Sequence, residues 1–216
     1  MQISWHGLSC FEITNKVNNK EVTIITDPYQ NTTGLRIPRT LESDIVLSSH
    51  DEEDSNNIAA VAGTPYLIDQ PGEYEVKDIF VFGINAKLKR TEQNKPVKNM
   101  MFRIESEGMH LVHLGALDRI LTDEELQRLQ NVDILMIPVG GNRVMTPKVA
   151  TEVISQIEPR VIIPMTHHTA NVKEDLMNVS EFCKEMGVCR NEEMNKFRIQ
   201  RKDLPETDML IVTLNR

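Results

Sequence analysis

The chain has only three cysteines among its 216 residues: Cys10, Cys183 and Cys189. Their odd number and their spacing match no zinc ribbon and no Cys-x-x-Cys motif. Reduced, packed thiols in a cytoplasmic protein are therefore expected. Long apolar runs are also missing. The longest are strand-sized, far short of the roughly 18 residues that suggest a membrane span. Residues 1–20 lack the basic start and apolar core of a secretory leader. Positive charge is in deficit, since 24 Lys+Arg against 32 Asp+Glu leave a net charge of -8. That balance argues against nucleic-acid phosphates or an anionic membrane surface as partners. What remains is 40% hydrophobic and 26% charged, the composition of a globular chain that buries a core.

The first half carries short β patterns broken by turn residues: Ile3–Trp5, Cys10–Thr14, Val22–Thr26 and Asp44–Ser48. Tyr66–Asp69, Tyr74–Val76, Ile79–Ile84, Lys98–Glu105 and Met109–His113 follow. Asn15–Lys20 reads as a hairpin connection and Lys87–Pro96 as an exposed loop. The second half changes period. Thr122 and Glu125 form a capping box that opens a helix over Thr122–Gln130. Thr146-Pro147 opens a second over Pro147–Ile157. Leu176, Val179, Phe182, Cys183 and Met186 recur at helical spacing, predicting a third over Glu174–Met186 with Gly187 as its stop. Asp133–Val139, Val161–Met165, Phe197–Arg201 and Met209–Leu214 read as strands. No repeat or linker divides the chain, so one domain over 1–216 with layered sheets and outer helices is expected.

Histidines stand at or just beyond strand ends, where a rigid scaffold displays side chains. His50 follows DIVLSS and opens His50-Asp51-Glu52-Glu53-Asp54; His113 ends a strand; His167 and His168 follow Val161–Met165. Nitrogen and oxygen donors converging from such loops suit zinc, manganese or iron. Taken alone, the acidic run equally fits a solvated loop or a helix N-terminus. His113 alone equally fits a strand-end histidine with a structural hydrogen bond. His167 and His168 are adjacent, so at most one of them should be a ligand. His110 should lie on the opposite face from His113 and be exposed. No Gly-x-Ser-x-Gly elbow supports Ser9 or Cys10 as a nucleophile. Gly140-Gly141-Asn142 reads as a tight turn or an anion-binding rim.

The ordered segments WHGLSCFEI, TIITDP, DIVLSSHDEED, DQPGEYEV, HLGALD and IPMTHH resemble the metallo-β-lactamase superfamily. The nearest branch is the small bacterial metal-dependent hydrolases related to ascorbate-phosphate lactonase, and the likeness runs from Ile3 to about Thr169. It implies an α+β, four-layer αββα sandwich with metal ions at one edge between the sheets. Laid on this chain, the family's His-x-His-x-Asp-His falls on His50, Glu52, Asp54 and Ser55. Its next histidine falls on His113, its bridging aspartate on Ala116, and its last histidine on Thr166, next to His167 and His168. Two ions need a bridging carboxylate and about three protein ligands each, so this pattern implies at most one divalent ion, zinc or manganese, or none. The expected ligands are His50, Glu52 and His113 with one of His167 or His168, and Asp54 is the expected catalytic group acting on water. A hydrolase of an unspecified small molecule is the implied activity. The alternative is a non-catalytic protein that keeps the fold as a binding or assembly module. A homo-oligomer fits either.

Overall fold

The computed structural model describes residues 1–92, 95–187 and 190–216. In chain order the strands are β1 (Gln2–Gly7), β2 (Cys10–Val17), β3 (Lys20–Thr26), β4 (Ile45–Leu47), β5 (Tyr66–Ile68), β6 (Gly72–Val76) and β7 (Ile79–Asn85). There follow β8 (Thr91–Glu92), β9 (Lys95–Pro96), β10 (Met100–Ser106), β11 (Met109–His113), β12 (Ile134–Pro138) and β13 (Val161–Met165), then β14 (Arg190–Met194), β15 (Lys196–Arg198) and β16 (Leu210–Leu214). The helices are α1 (Asp123–Arg128), α2 (Pro147–Ile157) and α3 (Val179–Met186). Six strands form one mixed sheet in the order β15-β1-β2-β3-β4-β5. Eight form a second, in the order β14-β16-β13-β12-β11-β10-β7-β6. Within the expected loop at Lys87–Pro96, β8 and β9 make a small hairpin. No helix among the described residues is long and apolar enough to cross a membrane.

Local chemistry sets the hairpins. Asn18 and Asn19 both take positive φ between Val17 and Lys20, the two-residue turn that matches strand twist. Lys77-Asp78 and Glu107-Gly108 do the same for β6–β7 and β10–β11. Alternation then sorts the side chains. Ile45 and Leu47 on β4, Met109 and Leu111 on β11, and Ile134 and Met136 on β12 meet in one core between the sheets. Their neighbours face outward. Val112, Leu135, Ile137 and Ile162 pack under Leu129, Ala150, Val153, Ile154 and Phe182, so the helical layer lies on the eight-stranded sheet. The outer face of the six-stranded sheet is covered differently. Cys10, Ile25 and Val46 pack against Tyr29, Leu35, Leu41, Val61 and Leu176, which come from connecting segments.

The capping box at Thr122 forms as expected, and Thr146 caps α2. The third helix starts at Val179, five residues after the expected Glu174. Met177 donates its N–H to the Gly140 carbonyl, and Asn178 stays extended (ψ 150°), so helical φ and ψ cannot begin earlier. The helically spaced Leu176 packs against the loop layer instead. Cys183 is disulfide-bonded, against the expectation of reduced thiols, while Cys10 is free and buried. Cys189 lies outside the described residues. His110 is half-buried rather than exposed, because its Nδ1 pairs with the Asn131 carbonyl at 2.9 Å.

Candidate metal centre

Strand ends from both sheets meet at one edge. After β3 the chain turns at Asp27, a buried residue with φ 41°. Its carboxylate accepts from the Ser49 N–H and the Ser49 hydroxyl, each at 2.7 Å. With its proton given to Asp27, the Ser49 Oγ accepts from His50 Nδ1 at 2.8 Å. The other ring nitrogen, Nε2, lies 2.9 Å from Asp54 Oδ1, and a carboxylate only accepts. His50 is therefore held as an imidazolium. Burial works against that charge, but Asp54 outweighs it and raises the histidine above its ordinary range. A tight turn makes the pairing local: Ser55 and Asn56 donate their N–H groups to the Glu52 carbonyl, folding residue 54 back over residue 50. The Ser55 hydroxyl closes the turn on the His50 carbonyl.

His50, Glu52 and Asp54 each offer a donor atom within 4.8 Å of the others. His50 Nε2 lies 3.5 Å from Glu52 Oε2. Ligand atoms about 2.1 Å from a shared ion stand roughly 3 Å apart; His50 lies at 2.9 Å from Asp54 and 3.5 Å from Glu52, and one nitrogen with two carboxylates is a donor set that suits one divalent ion. It already carries cations of its own. Arg90 grips both oxygens of Glu52, and Arg143 Nη2 pairs with Asp54 Oδ2. Arg143 Nε reaches Glu174 at 2.7 Å, and its Nη1 lies 3.7 Å from Glu52 without an acceptor. Burial alone would raise both carboxyls. Instead, Arg90 holds Glu52 below its ordinary range, and His50 with Arg143 holds Asp54 well below. A cavity of about 520 Å³ opens over the cluster, lined in part by Leu8, Glu52, Asp54, Arg143 and Glu174.

His113 and His167 stand outside this cluster. Alternation along β11 points His113 into the sandwich with Met109 and Leu111. Its Nδ1 accepts from the Gly115 N–H at 3.2 Å, which leaves Nε2 to donate to the Ser9 carbonyl at 3.0 Å. Burial lowers its basicity, Asp27 at 3.8 Å only partly offsets this, and the ring is neutral with both nitrogens on backbone. Asp27 and Ser49 put His113 on the Nδ1 side of His50, while Glu52 and Asp54 sit on the Nε2 side. His167 is buried against Trp5, with ring centroids 4.6 Å apart, and its Nδ1 meets the His168 carbonyl. His168 is exposed. Thr166, buried at the family's last histidine position, takes φ 49°, a strained conformation for a β-branched residue. Ala116 is buried in the apolar layer beneath the helices.

A profile of the beta-lactamase superfamily domain matches residues 2–166. The chain belongs to the beta-lactamase superfamily. It is 23% identical over 193 residues to a UPF0173 metal-dependent hydrolase of Thermoplasma acidophilum, covering 78% of this chain and 84% of that protein. A UPF0173 protein of Pyrococcus abyssi is 27% identical over 187 residues, at the same coverage. Among solved structures, a Thermotoga maritima protein described as a Zn-dependent hydrolase of the metallo-beta-lactamase superfamily superposes at a TM-score of 0.76. It is 29% identical, with 99% of both chains covered. A metallo hydrolase of Ignicoccus hospitalis shares the fold at a TM-score of 0.63 and 18% identity, covering 92% of this chain and 99% of that one.

Sequence reasoning missed Asp27, Ser49, Arg90, Arg143 and Glu174 as parts of the centre. Asp27 lies in the TIITDP segment and Ser49 precedes His50, so both had a positional signal. Arg143 stands one residue beyond Gly140-Gly141-Asn142. Arg90 had none: it lies in a polar stretch, and Asp118 places it by accepting the N–H groups of Lys89 and Arg90.

Proposed function

We propose that the protein is a metal-dependent hydrolase working with a single divalent ion held by His50, Glu52 and Asp54. The observation that carries this reading is the convergence of the three donors, each within 4.8 Å of the others, with Glu52 and Asp54 lining the cavity. One nitrogen and two oxygen donors suit zinc or manganese. When bound, such an ion polarises a substrate oxygen and lowers the pKa of water. The chain's own groups do the rest. Asp27 and Ser49 fix the plane of His50 from its far side, the outer support a ligand histidine needs. Asp54, held ionised by His50 and Arg143, serves as a ligand rather than as the base, since its depressed basicity makes it a weak proton acceptor. Arg143 and Arg90 supply positive charge beside the cavity for an anionic group. The cavity of about 520 Å³ is of small-molecule size.

One observation favours a second reading. Both carboxylates are ion-paired to arginine in the folded chain, so the cluster is charge-compensated by side chains alone. In that reading the fold is a non-catalytic binding module. Elemental analysis of protein dialysed against zinc or manganese separates the two. The hydrolase reading expects up to one ion per chain, lost in His50→Ala, with hydrolysis of activated esters lost alongside. Zero ions at saturating metal would leave the non-catalytic reading.

A further inference from the structure

Beyond β13, residues 168–178 run to the start of α3, and Val172, Lys173 and Glu174 among them line the cavity. This strap is tied at four places. His168 donates its N–H to the Met177 carbonyl at 2.9 Å, closing the strap on itself. Met177 donates to Gly140 at 2.8 Å, and Lys173 to Thr33 at 3.0 Å, across the gap between the sheets. Gly34 allows the approach, since a Cβ there would collide with the Asn171 carbonyl oxygen. The fourth tie is ionic. Arg143 sits between the floor and the strap, with Nη2 on Asp54 and Nε on Glu174.

We propose that Arg143 is a built-in cation that latches the 168–178 strap over Asp54, so that a divalent ion at His50–Glu52–Asp54 and the latched strap exclude one another. The proposal rests on reading the cluster as a one-ion site, and it names how that site is regulated. Asp54 has no free oxygen: Oδ1 takes His50 and Oδ2 takes Arg143. A dication and a guanidinium on the two oxygens of one buried carboxylate repel at close range. Loading an ion therefore drives Arg143 off Asp54. Nη1 of Arg143 already lacks an acceptor, so the latched pose is not fully satisfied. With Arg143 off Asp54, Glu174 is no longer tied through it to the floor, and the strap keeps only its backbone ties, which loosens the cover of the cavity. Metal entry and access to the cavity become one event.

The test titrates zinc into the full chain by calorimetry and follows amide exchange over 168–178. Arg143→Met is expected to bind one zinc at least tenfold more tightly than the unmodified chain, and Arg143→Met with His50→Ala to bind none. Zinc loading of the unmodified chain is expected to speed exchange across the strap. Glu174→Gln cuts the latch at its solvent end while leaving Asp54 paired, and serves if Arg143→Met folds poorly. It is expected to speed strap exchange without zinc and to tighten zinc binding a few-fold. Equal or weaker zinc binding in both variants overturns the latch and leaves the one-ion reading intact, provided His50→Ala abolishes binding. Strap exchange unchanged by zinc also overturns it. No zinc bound by any form defeats the one-ion reading and the exclusion together.

Discussion

His167 makes the fold sensitive to mild acid. Its imidazole is buried against Trp5, and burial lowers its pKa from 6.5 to about 4, with the His168 carbonyl offsetting only part of the loss. Between those values the unfolded chain binds a proton at this residue that the folded chain does not, so stability rises with pH across the window. The contribution is complete above the unfolded value and is lost as pH falls from about 6.5 to 4. A drop of that size corresponds to about 3 kcal/mol, a large fraction of the roughly 5–15 kcal/mol that holds a typical domain together.

His167→Phe removes the titration but keeps a ring on Trp5. At pH 7.5 the variant is expected to be about 1 kcal/mol less stable, having given up the hydrogen bond to His168. At pH 4 the order reverses, and the variant should be more stable by about 2 kcal/mol. The assay is urea unfolding at pH steps from 7.5 to 4. It should be read by far-ultraviolet circular dichroism, since an imidazole protonating 4.6 Å from the one Trp alters its fluorescence directly. Comparing the two chains cancels every other titrating group. Parallel stability profiles would refute the reasoning, as would a resolved NMR titration of His167 near 6.5.

Two further predictions concern the centre. Asp54→Asn leaves His50 and Arg143 without their shared counter-charge, and breaking such a buried pair is expected to remove about 3–5 kcal/mol. Because Asp54 is depressed in the folded chain, the unmodified protein's advantage should hold above the ordinary value of 3.8 and shrink as pH falls below it; an advantage constant down to pH 2 would contradict the pairing. Gly115→Ala places a Cβ against Asn99 Oδ1 and 2.8 Å from the Met100 carbonyl at φ 61°, and should destabilise by roughly 3 kcal/mol. An unchanged thermal midpoint would show that this close approach is not needed.

What the sequence makes legible is what neighbouring residues decide. Turns at Asn18-Asn19, caps at Thr122 and Thr146, and alternation in β11–β13 all follow from a few adjacent side chains. His50, Glu52 and Asp54 belong with these, because one turn within five residues brings them together. Helical spacing misleads at Leu176, where a tertiary bond from Met177 to Gly140 overrides it. The orientation of His113 is equally hidden, since Nε2 meets a carbonyl 104 residues away. The arginines reach the centre across 38 and 89 residues, from loops whose composition marks them only as polar. Carboxylates in a half-buried turn need a cation, and a bound ion or a guanidinium satisfies the same charge. A ligand pattern therefore identifies the donors, but which cation they hold is decided by distant loops. In this chain those loops deliver Arg90 and Arg143 to the same oxygens that an ion would claim.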